Sequence, residues 1–352
     1  MVTDWWHARQ QELLILAERN CPLYVYNEEA LNELFFDLLR IESVKGLVYP
    51  IYLNFHPEIL RKAFEMNLSF LCTSRSELAK LLRKCPKLHP QRLLFFCDSN
   101  SFPELEGVFH HSANPITYNP SMHGANPTNT QIMAEKGIYI VLDSETTLDI
   151  DPLPEQSVKG FYIYQPRDDI STLIELLDSA SKRYPQASML ILGNDIRASL
   201  FHRELDIMHF VSYLEDLACI LPPVAVWLEV PAPLLSSIGI LLVRIIETGI
   251  REGTPYACIN IDIKAVTSTK LLQIVNLSTP DDEDSFMTCA IGNSQDLSDA
   301  LYLELPSTSE AGDVLGITSM GIYAPGEIID YKGRNGVPEH YLRARRICQV
   351  RI

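Results

Sequence analysis

The strongest constraint on the fold is an alternation, between residues 22 and 230, of short β-rich runs with stretches of helical periodicity. This alternation is typical of parallel strands joined by helices. The predicted strands are residues 23–26, 47–54, 68–74, 93–98, 138–144, 161–165, 189–193 and 226–230. The predicted helices are residues 28–41, 57–66, 75–83, 170–184 and 209–221. Eight strands in a segment of this length predict an α/β fold built on a (β/α)8 TIM barrel.

The pattern changes in two places. Residues 103–127 are rich in Asn, Pro, Ser and His, which predicts a loop or insertion in which residues 116–118 form an extra strand. Beyond residue 234, strands follow one another without long helices, at residues 238–248, 256–263, 271–277, 287–291 and 300–305. We therefore predict an N-terminal helix (1–21) that packs on a C-terminal β domain (234–352). The residues that lie between them in the sequence (22–233) form the barrel.

Charge and cysteine usage exclude several classes of partner. A net charge of -16 disfavours nucleic acids and anionic membrane surfaces, which need clustered Lys and Arg. The apolar runs are too short to span a bilayer, and the first residues lack the features of a signal peptide, so we expect a cytoplasmic protein. The eight cysteines include no Cys-x-x-Cys pair and no Cys/His spacing typical of a zinc site. A segment with three histidines, His110, His111 and His123, has the composition of a polar loop. We therefore expect no bound metal.

One segment of the predicted barrel carries a specific resemblance. Residues 48–60 resemble the first strand and following helix of the fold-type III, alanine racemase-like amino-acid decarboxylases, which depend on pyridoxal phosphate (PLP). These enzymes form the ornithine/diaminopimelate decarboxylase family. The family sequence of this strand is Tyr-Ala-x-Lys-x-Asn-x-x-Pro. The residues that fit are Tyr49, Asn54, His56 and Pro57. Tyr52 stands where that family has its lysine. The family's lysine holds PLP as a Schiff base, and a phenol cannot form an imine.

The resemblance continues in order along nearly the whole chain. Four further segments are similar to family motifs: residues 22–26, 73–78, 141–145 and 311–315. It implies a TIM barrel with a C-terminal β domain, and a dimer whose active sites form between two subunits.

Most positions that handle the cofactor in the family are replaced. Tyr164 stands where the family has a histidine that stacks on the pyridine ring. The run of three glycines that cradles the phosphate corresponds to Gly193, Asn194 and Asp195. One glycine remains, and the carboxylate of Asp195 would repel a phosphate. The resemblance therefore identifies a degenerate phosphate loop.

The remaining positions are mixed. Glu229 matches the acid that pairs with the pyridine nitrogen, but Ala232 replaces the arginine that binds the phosphate. In the loop supplied by the partner subunit, Gln295 replaces a proton-donating cysteine, whereas Asp296 matches the aspartate for the distal amine of the substrate. Tyr323 matches a tyrosine that touches the phosphate. Without PLP, Glu229 has no obvious partner.

These replacements predict a decarboxylase-like pseudoenzyme that has lost PLP binding and ordinary decarboxylation. It would act by binding a small amine or amino acid, or a protein partner. We expect a homodimer, or a heterodimer with a decarboxylase homologue. The pathway would be one of amino-acid, polyamine or secondary metabolism. One alternative is a PLP-independent enzyme that reuses the barrel mouth. A second is an active PLP-dependent decarboxylase, a carboxy-lyase whose lysine lies elsewhere, for which Lys45 and Lys62 flank the strand out of register.

Overall fold

The computed structural model describes residues 5–96, 116–118, 137–142, 158–163, 170–193, 215, 224–261, 273–279, 286–292, 301–322 and 336–345. The chain divides into two compact units. One is Leu34–Leu234, and the other combines Met1–Glu33 with Leu235–Ile352.

The secondary structure follows the predicted alternation. The strands are β1 (Leu23–Asn27), β2 (Val44–Pro50), β3 (Ser69–Cys72), β4 (Leu93–Phe96), β5 (Ile116–Tyr118), β6 (Ile138–Val141), β7 (Val158–Ile163), β8 (Met189–Leu192), β9 (Ala225–Glu229), β10 (Gly239–Arg251), β11 (Thr254–Ile259), β12 (Ile274–Asn276), β13 (Phe286–Gly292), β14 (Leu301–Pro306), β15 (Val314–Ile317) and β16 (Glu339–Leu342). The helices are α1 (Trp5–Ala8), α2 (Gln10–Arg19), α3 (Glu28–Leu39), α4 (Pro57–Glu65), α5 (Arg75–Lys84), α6 (Ile170–Arg183) and α7 (Ala232–Ser236), with a 3₁₀ turn at Pro90–Arg92.

Strands β2 to β9 form a closed parallel barrel in chain order, with β9 pairing back to β2. The second unit contains a mixed sheet in the order β12-β15-β10-β11-β13-β14. These two sheets confirm the predicted fold class, a TIM barrel with an additional β domain.

The prediction that residues 23–26 form the first barrel strand is wrong. Strand β1 pairs antiparallel with β10 and parallel with β16, so it belongs to the second unit and not to a barrel that begins at residue 22. Every residue of β1 is buried. A short, fully buried strand has the same composition in a barrel and in the middle of a mixed sheet, so its sequence does not identify its neighbours.

The strand that completes the set of eight is instead β5, the fourth barrel strand in chain order. We predicted residues 116–118 as an extra strand in an insertion, but β5 pairs with both β4 and β6 within the barrel. Its three residues are too few to show a periodic pattern.

Helices α1 and α2 pack on the mixed sheet of their own unit. Trp6, Leu13 and Ala17 contribute to one buried cluster with Leu23 and Leu242, which lie on β1 and β10. Strands β15 and β16 were not predicted as strands, and the helix predicted at 209–221 lies outside the described residues apart from Glu215. Among the helices in the described ranges, none has the length and apolar character needed to cross a membrane.

The barrel interior is defined by a cluster of side chains drawn from strands all around the closed sheet. Its buried members are Val48, Leu71, Leu94, Tyr139, Val141, Tyr162 and Ile191, with Tyr52, Phe96, Met189 and Trp227 packed against them. Only the inside of a closed barrel brings these strands together, because successive side chains of a strand point to opposite faces.

Candidate functional site

Tyr52 lies just beyond the carboxyl end of β2, the edge at which barrel enzymes place their active sites. Two backbone hydrogen bonds hold it there: the Ile51 amide donates to the Leu71 carbonyl of β3 (3.0 Å), and the Leu53 amide closes a tight turn on the Pro50 carbonyl (3.2 Å). The side chain is half-buried and packs against the interior cluster.

The residues that match the family motif around Tyr52 build the turn itself. The buried Tyr49 hydroxyl donates to the Asn54 carbonyl (2.7 Å), and burial raises the pKa of Tyr49. The Asn54 Oδ1 accepts from the His56 amide (2.8 Å), and His56 Nδ1 accepts from the Glu58 amide (3.3 Å). Pro57 is the first residue of α4, where its missing N–H costs nothing. These matched residues therefore have structural roles that need no cofactor.

The same holds for the next strand-to-helix turn. Ser74 caps α5, and its hydroxyl accepts from the Glu77 amide (3.3 Å). The Glu77 carboxylate in turn accepts from the Thr73 amide (2.7 Å). This is a variant of the capping box, in which the Glu77 carboxylate accepts from the amide of the residue before the N-cap and not from that of Ser74. The similarity of residues 73–78 to the family is thus explained by helix initiation.

Glu229, at the end of β9, has a partner that the sequence analysis did not identify. The Tyr162 hydroxyl donates to Glu229 Oε1 at 2.6 Å, and both side chains are 0% exposed. Glu229 shares the inner face with Trp227, two residues earlier on β9. The expectation that Glu229 lacks an obvious partner is therefore wrong. Strand alternation was the available signal, since it places every second residue of β7, Tyr162 included, on one face of the strand.

Aromatic rings surround this buried pair. The rings of Phe96 and Tyr162 lie 5.6 Å apart between centroids at an angle of 57°. Phe96 ends β4 and is partly exposed, as is Tyr52 beyond β2. The described part of the barrel mouth therefore presents two partly exposed rings, with Tyr162 and Glu229 buried in the interior.

The interior is also packed toward the amino ends of the strands. The indole of Trp227 lies against Gly46, the residue paired with it on β2. The Tyr139 hydroxyl lies 2.9 Å from Met189 Sδ, and burial raises the pKa of Tyr139 to about 12. Tyr139 consequently stays protonated throughout the physiological range.

Gly193 is the one residue of the predicted phosphate loop within the described ranges. It directly follows β8, and its amide donates to the Ile163 carbonyl at 2.7 Å, continuing the barrel ladder. A donor committed to the ladder is not available to an anion. Six predicted site residues lie outside the described residues: Tyr164, Asn194, Asp195, Gln295, Asp296 and Tyr323.

Two residues that the resemblance assigns to PLP, Gly193 and Glu229, are described, and each is already engaged by the protein. Tyr52 carries no amine, the Gly193 amide is bonded within the sheet, and Glu229 is fully buried with a phenol on its carboxylate. In the described ranges, no group of three or more His, Cys, Asp and Glu side chains is arranged to hold a metal ion.

Comparison with known proteins identifies relatives by structure alone. No protein-family model matches the chain, and no curated protein matches it by sequence. The arginine decarboxylase of Paramecium bursaria Chlorella virus, solved bound to agmatine, is similar over 94% of this chain and 99% of its own, with a TM-score of 0.72 and 14% identity.

Two bacterial decarboxylases are similarly close. The lysine/ornithine decarboxylase of Vibrio vulnificus, complexed with cadaverine, matches with a TM-score of 0.73 at 12% identity, over 96% of this chain and 97% of its own. The lysine decarboxylase of Selenomonas ruminantium matches with a TM-score of 0.69 at 16% identity, over 94% and 95% of the two chains. This chain therefore has the fold of the fold-type III decarboxylases along nearly its whole length.

Proposed function

We propose that this chain is a decarboxylase-like protein that does not hold PLP through a Schiff base, and that it binds a small organic amine non-covalently at the barrel mouth. The observation that carries the proposal is Tyr52. It stands at the end of the first barrel strand, where the resemblance requires a lysine, and its ring packs on the barrel interior. A phenol there supplies a wall and a hydrogen-bonding group but no nucleophilic nitrogen.

The chemistry of the mouth favours a cationic ligand. Tyr52 and Phe96 are both partly exposed, and the face of an aromatic ring attracts an ammonium or guanidinium group. A net charge of -16 favours the approach of cations. Two structures that share the fold were solved with agmatine and cadaverine, both of which are organic amines.

The first test asks whether PLP binds covalently. Purified wild-type protein incubated with PLP should show no visible band that borohydride abolishes, and its mass should not increase after borohydride treatment. A borohydride-dependent mass increase located on a lysine of the barrel would overturn the proposal. It would instead support the alternative of an active PLP-dependent carboxy-lyase.

The second test asks whether the mouth binds cations. Calorimetric titration should detect agmatine or cadaverine but not 1,5-pentanediol, the uncharged counterpart of cadaverine. Tyr52→Leu and Phe96→Leu should each weaken amine binding by roughly two- to thirtyfold, the range expected for one cation–π contact. Tyr302→Leu is the matched control, since Tyr302 is an exposed tyrosine of β14 in the other unit. Equal affinity for the diol and the diamine would contradict a cation site.

The proposal includes association with a second subunit, either another copy or an active decarboxylase homologue. It is supported by the shared fold and by the resemblance, in which active sites form between subunits. Co-expression with a decarboxylase from the same source should yield a mixed dimer or change that enzyme's turnover. If the two chains elute separately and the partner's turnover is unchanged, association with a homologue is wrong.

A PLP-independent enzyme is the second candidate, and the Tyr162–Glu229 pair favours it. A phenol and a carboxylate joined at 2.6 Å inside a barrel can hold and move a proton. Incubating the chain alone with amino acids and amines and following product formation separates the two functions. Turnover that Glu229→Gln abolishes would replace the binding proposal with this one.

A further inference from the structure

We infer that Tyr162 is a second barrier to PLP chemistry, independent of the missing lysine, because it keeps ligands from the Glu229 carboxylate. The inference rests on the proposed function in one respect: it takes Tyr52 to occupy the lysine position. It adds a residue that no family motif identifies. Tyr162 thereby determines which class of ligand the barrel accepts.

The first observation is the engagement of Glu229. Its Oε1 accepts the Tyr162 hydroxyl at 2.6 Å, a short and therefore strong bond for a phenol and a carboxylate. In the resemblance, Glu229 is the acid that faces the pyridine nitrogen. A ligand that needed Oε1 would first have to displace the phenol.

The second observation is the space that the Tyr162 ring occupies. Tyr162 is 0% exposed within the interior cluster, next to Ile191 on β8 and Val141 on β6. The Phe96 ring packs on it at 5.6 Å, and Glu229 beside it is 0% exposed as well. A carboxylate that binds a ligand has to be reachable from the barrel mouth, whereas Glu229 is fully buried here.

These two observations predict that restoring the lysine is not sufficient. Tyr52→Lys supplies an amine at the barrel mouth, but the carboxylate stays bonded to Tyr162 and covered by its ring. Two further substitutions separate these effects. Tyr162→Phe removes the hydroxyl and keeps the ring, whereas Tyr162→Ala removes both.

The experiment titrates PLP into Y52K, Y52K/Y162F and Y52K/Y162A, following visible absorbance and the mass gained after borohydride reduction. Y52K/Y162A should bind PLP about tenfold or more tightly than Y52K, since it regains a charged acceptor and space for the ring. Y52K/Y162F should show a smaller gain. Y52K/Y26F is the matched control, because it removes a buried phenol that donates to a carboxylate, Glu339, in the other unit, and it should bind like Y52K.

Equal affinity of Y52K and Y52K/Y162A for PLP would overturn the inference, as would the absence of a borohydride-dependent mass gain in both. Circular dichroism and the thermal midpoint establish that each variant is folded, and if Y162A does not fold, Y162F alone decides the comparison. The wild-type result distinguishes the two proposals. A covalent link in wild type overturns the proposed function, whereas tight binding by Y52K alone overturns only the role of Tyr162.

Discussion

The indole of Trp227 occupies the space that a Cβ atom on Gly46 would need. An ideal Cβ at Gly46 would lie 2.7 Å from the ring, closer than packed carbon atoms approach. The two residues are paired across β2 and β9, where the last barrel strand meets the first. The closure of the barrel thus depends on a glycine that makes room for the largest side chain.

We expect Gly46→Ala to destabilise the protein by about 1–3 kcal/mol, the usual cost of overpacking a core. The urea midpoint measures the loss. Lys45→Ala is the control, because the exposed Lys45 precedes Gly46 on the same strand. If both variants unfold at the same urea concentration, the close contact between Trp227 and Gly46 is not a constraint on the barrel.

Removal of the α5 cap should have a defined cost. Ser74→Ala deletes the hydroxyl that accepts from the Glu77 amide, and we expect a loss of about 1 kcal/mol in the free energy of unfolding. Ser76→Ala, at an exposed position in the first turn of the same helix, should have little effect. Equal midpoints for the two variants in denaturant would contradict a capping role for this motif.

The hydrogen bond between Tyr162 and Glu229 can be measured with a double-mutant cycle. Tyr162→Phe should cost about 1–3 kcal/mol, because it leaves the buried Glu229 acceptor without its donor. In a Glu229→Gln background the same change should cost less, about 1 kcal/mol, because the acceptor is then a neutral amide. Identical costs in both backgrounds, measured by urea unfolding, would show that the two side chains are not coupled.

The N-terminal helix should respond to acid through Glu12. The pKa of Glu12 is lowered, first by a hydrogen bond from Arg9 and then by one from Arg345. A carboxyl whose pKa is lower in the folded chain adds stability that is present in full above its unfolded pKa of about 4.5. That stability is lost as the pH falls through the lower, folded pKa.

The advantage of wild type over Glu12→Gln in thermal midpoint should therefore be constant above pH 4.5 and shrink below it. Glu18→Gln, at an exposed position on the same helix, controls for the loss of one charge. An advantage that persists unchanged to pH 3 would show that ionisation of Glu12 is not its source.

The regular part of the fold could be predicted from the sequence because it rests on local chemistry. The helix predicted at residues 57–66 is observed as Pro57–Glu65, since Pro57 fits a helix start and Ile59, Leu60 and Ala63 form its buried face. The assignment of strands to sheets could not be predicted in the same way. Both β1 and β5 are placed by partners distant in sequence, and neither has a local pattern that identifies those partners.

The candidate site shows the same division. That Tyr52 cannot form an imine with PLP follows from the chemistry of one side chain and can be predicted without a structure. The partner of Glu229 could be identified only from the structure, because Tyr162 lies on β7, Glu229 lies on β9, and β8 separates the two strands. Alternation along β7 indicates which way Tyr162 points, but the reach of a phenol across an intervening strand is set by barrel curvature.

The position of β1 has a consequence for how the protein is made. Its residues pair with β10 and β16, as in Leu23 with Leu242 and Tyr26 with Tyr341. The ribosome releases this strand long before it translates either partner, so the segment must remain unpaired while the intervening residues emerge. A fragment that ends at Leu234 would leave the apolar strand β1 without its partner strands, and a soluble barrel fragment should therefore begin beyond Asn27.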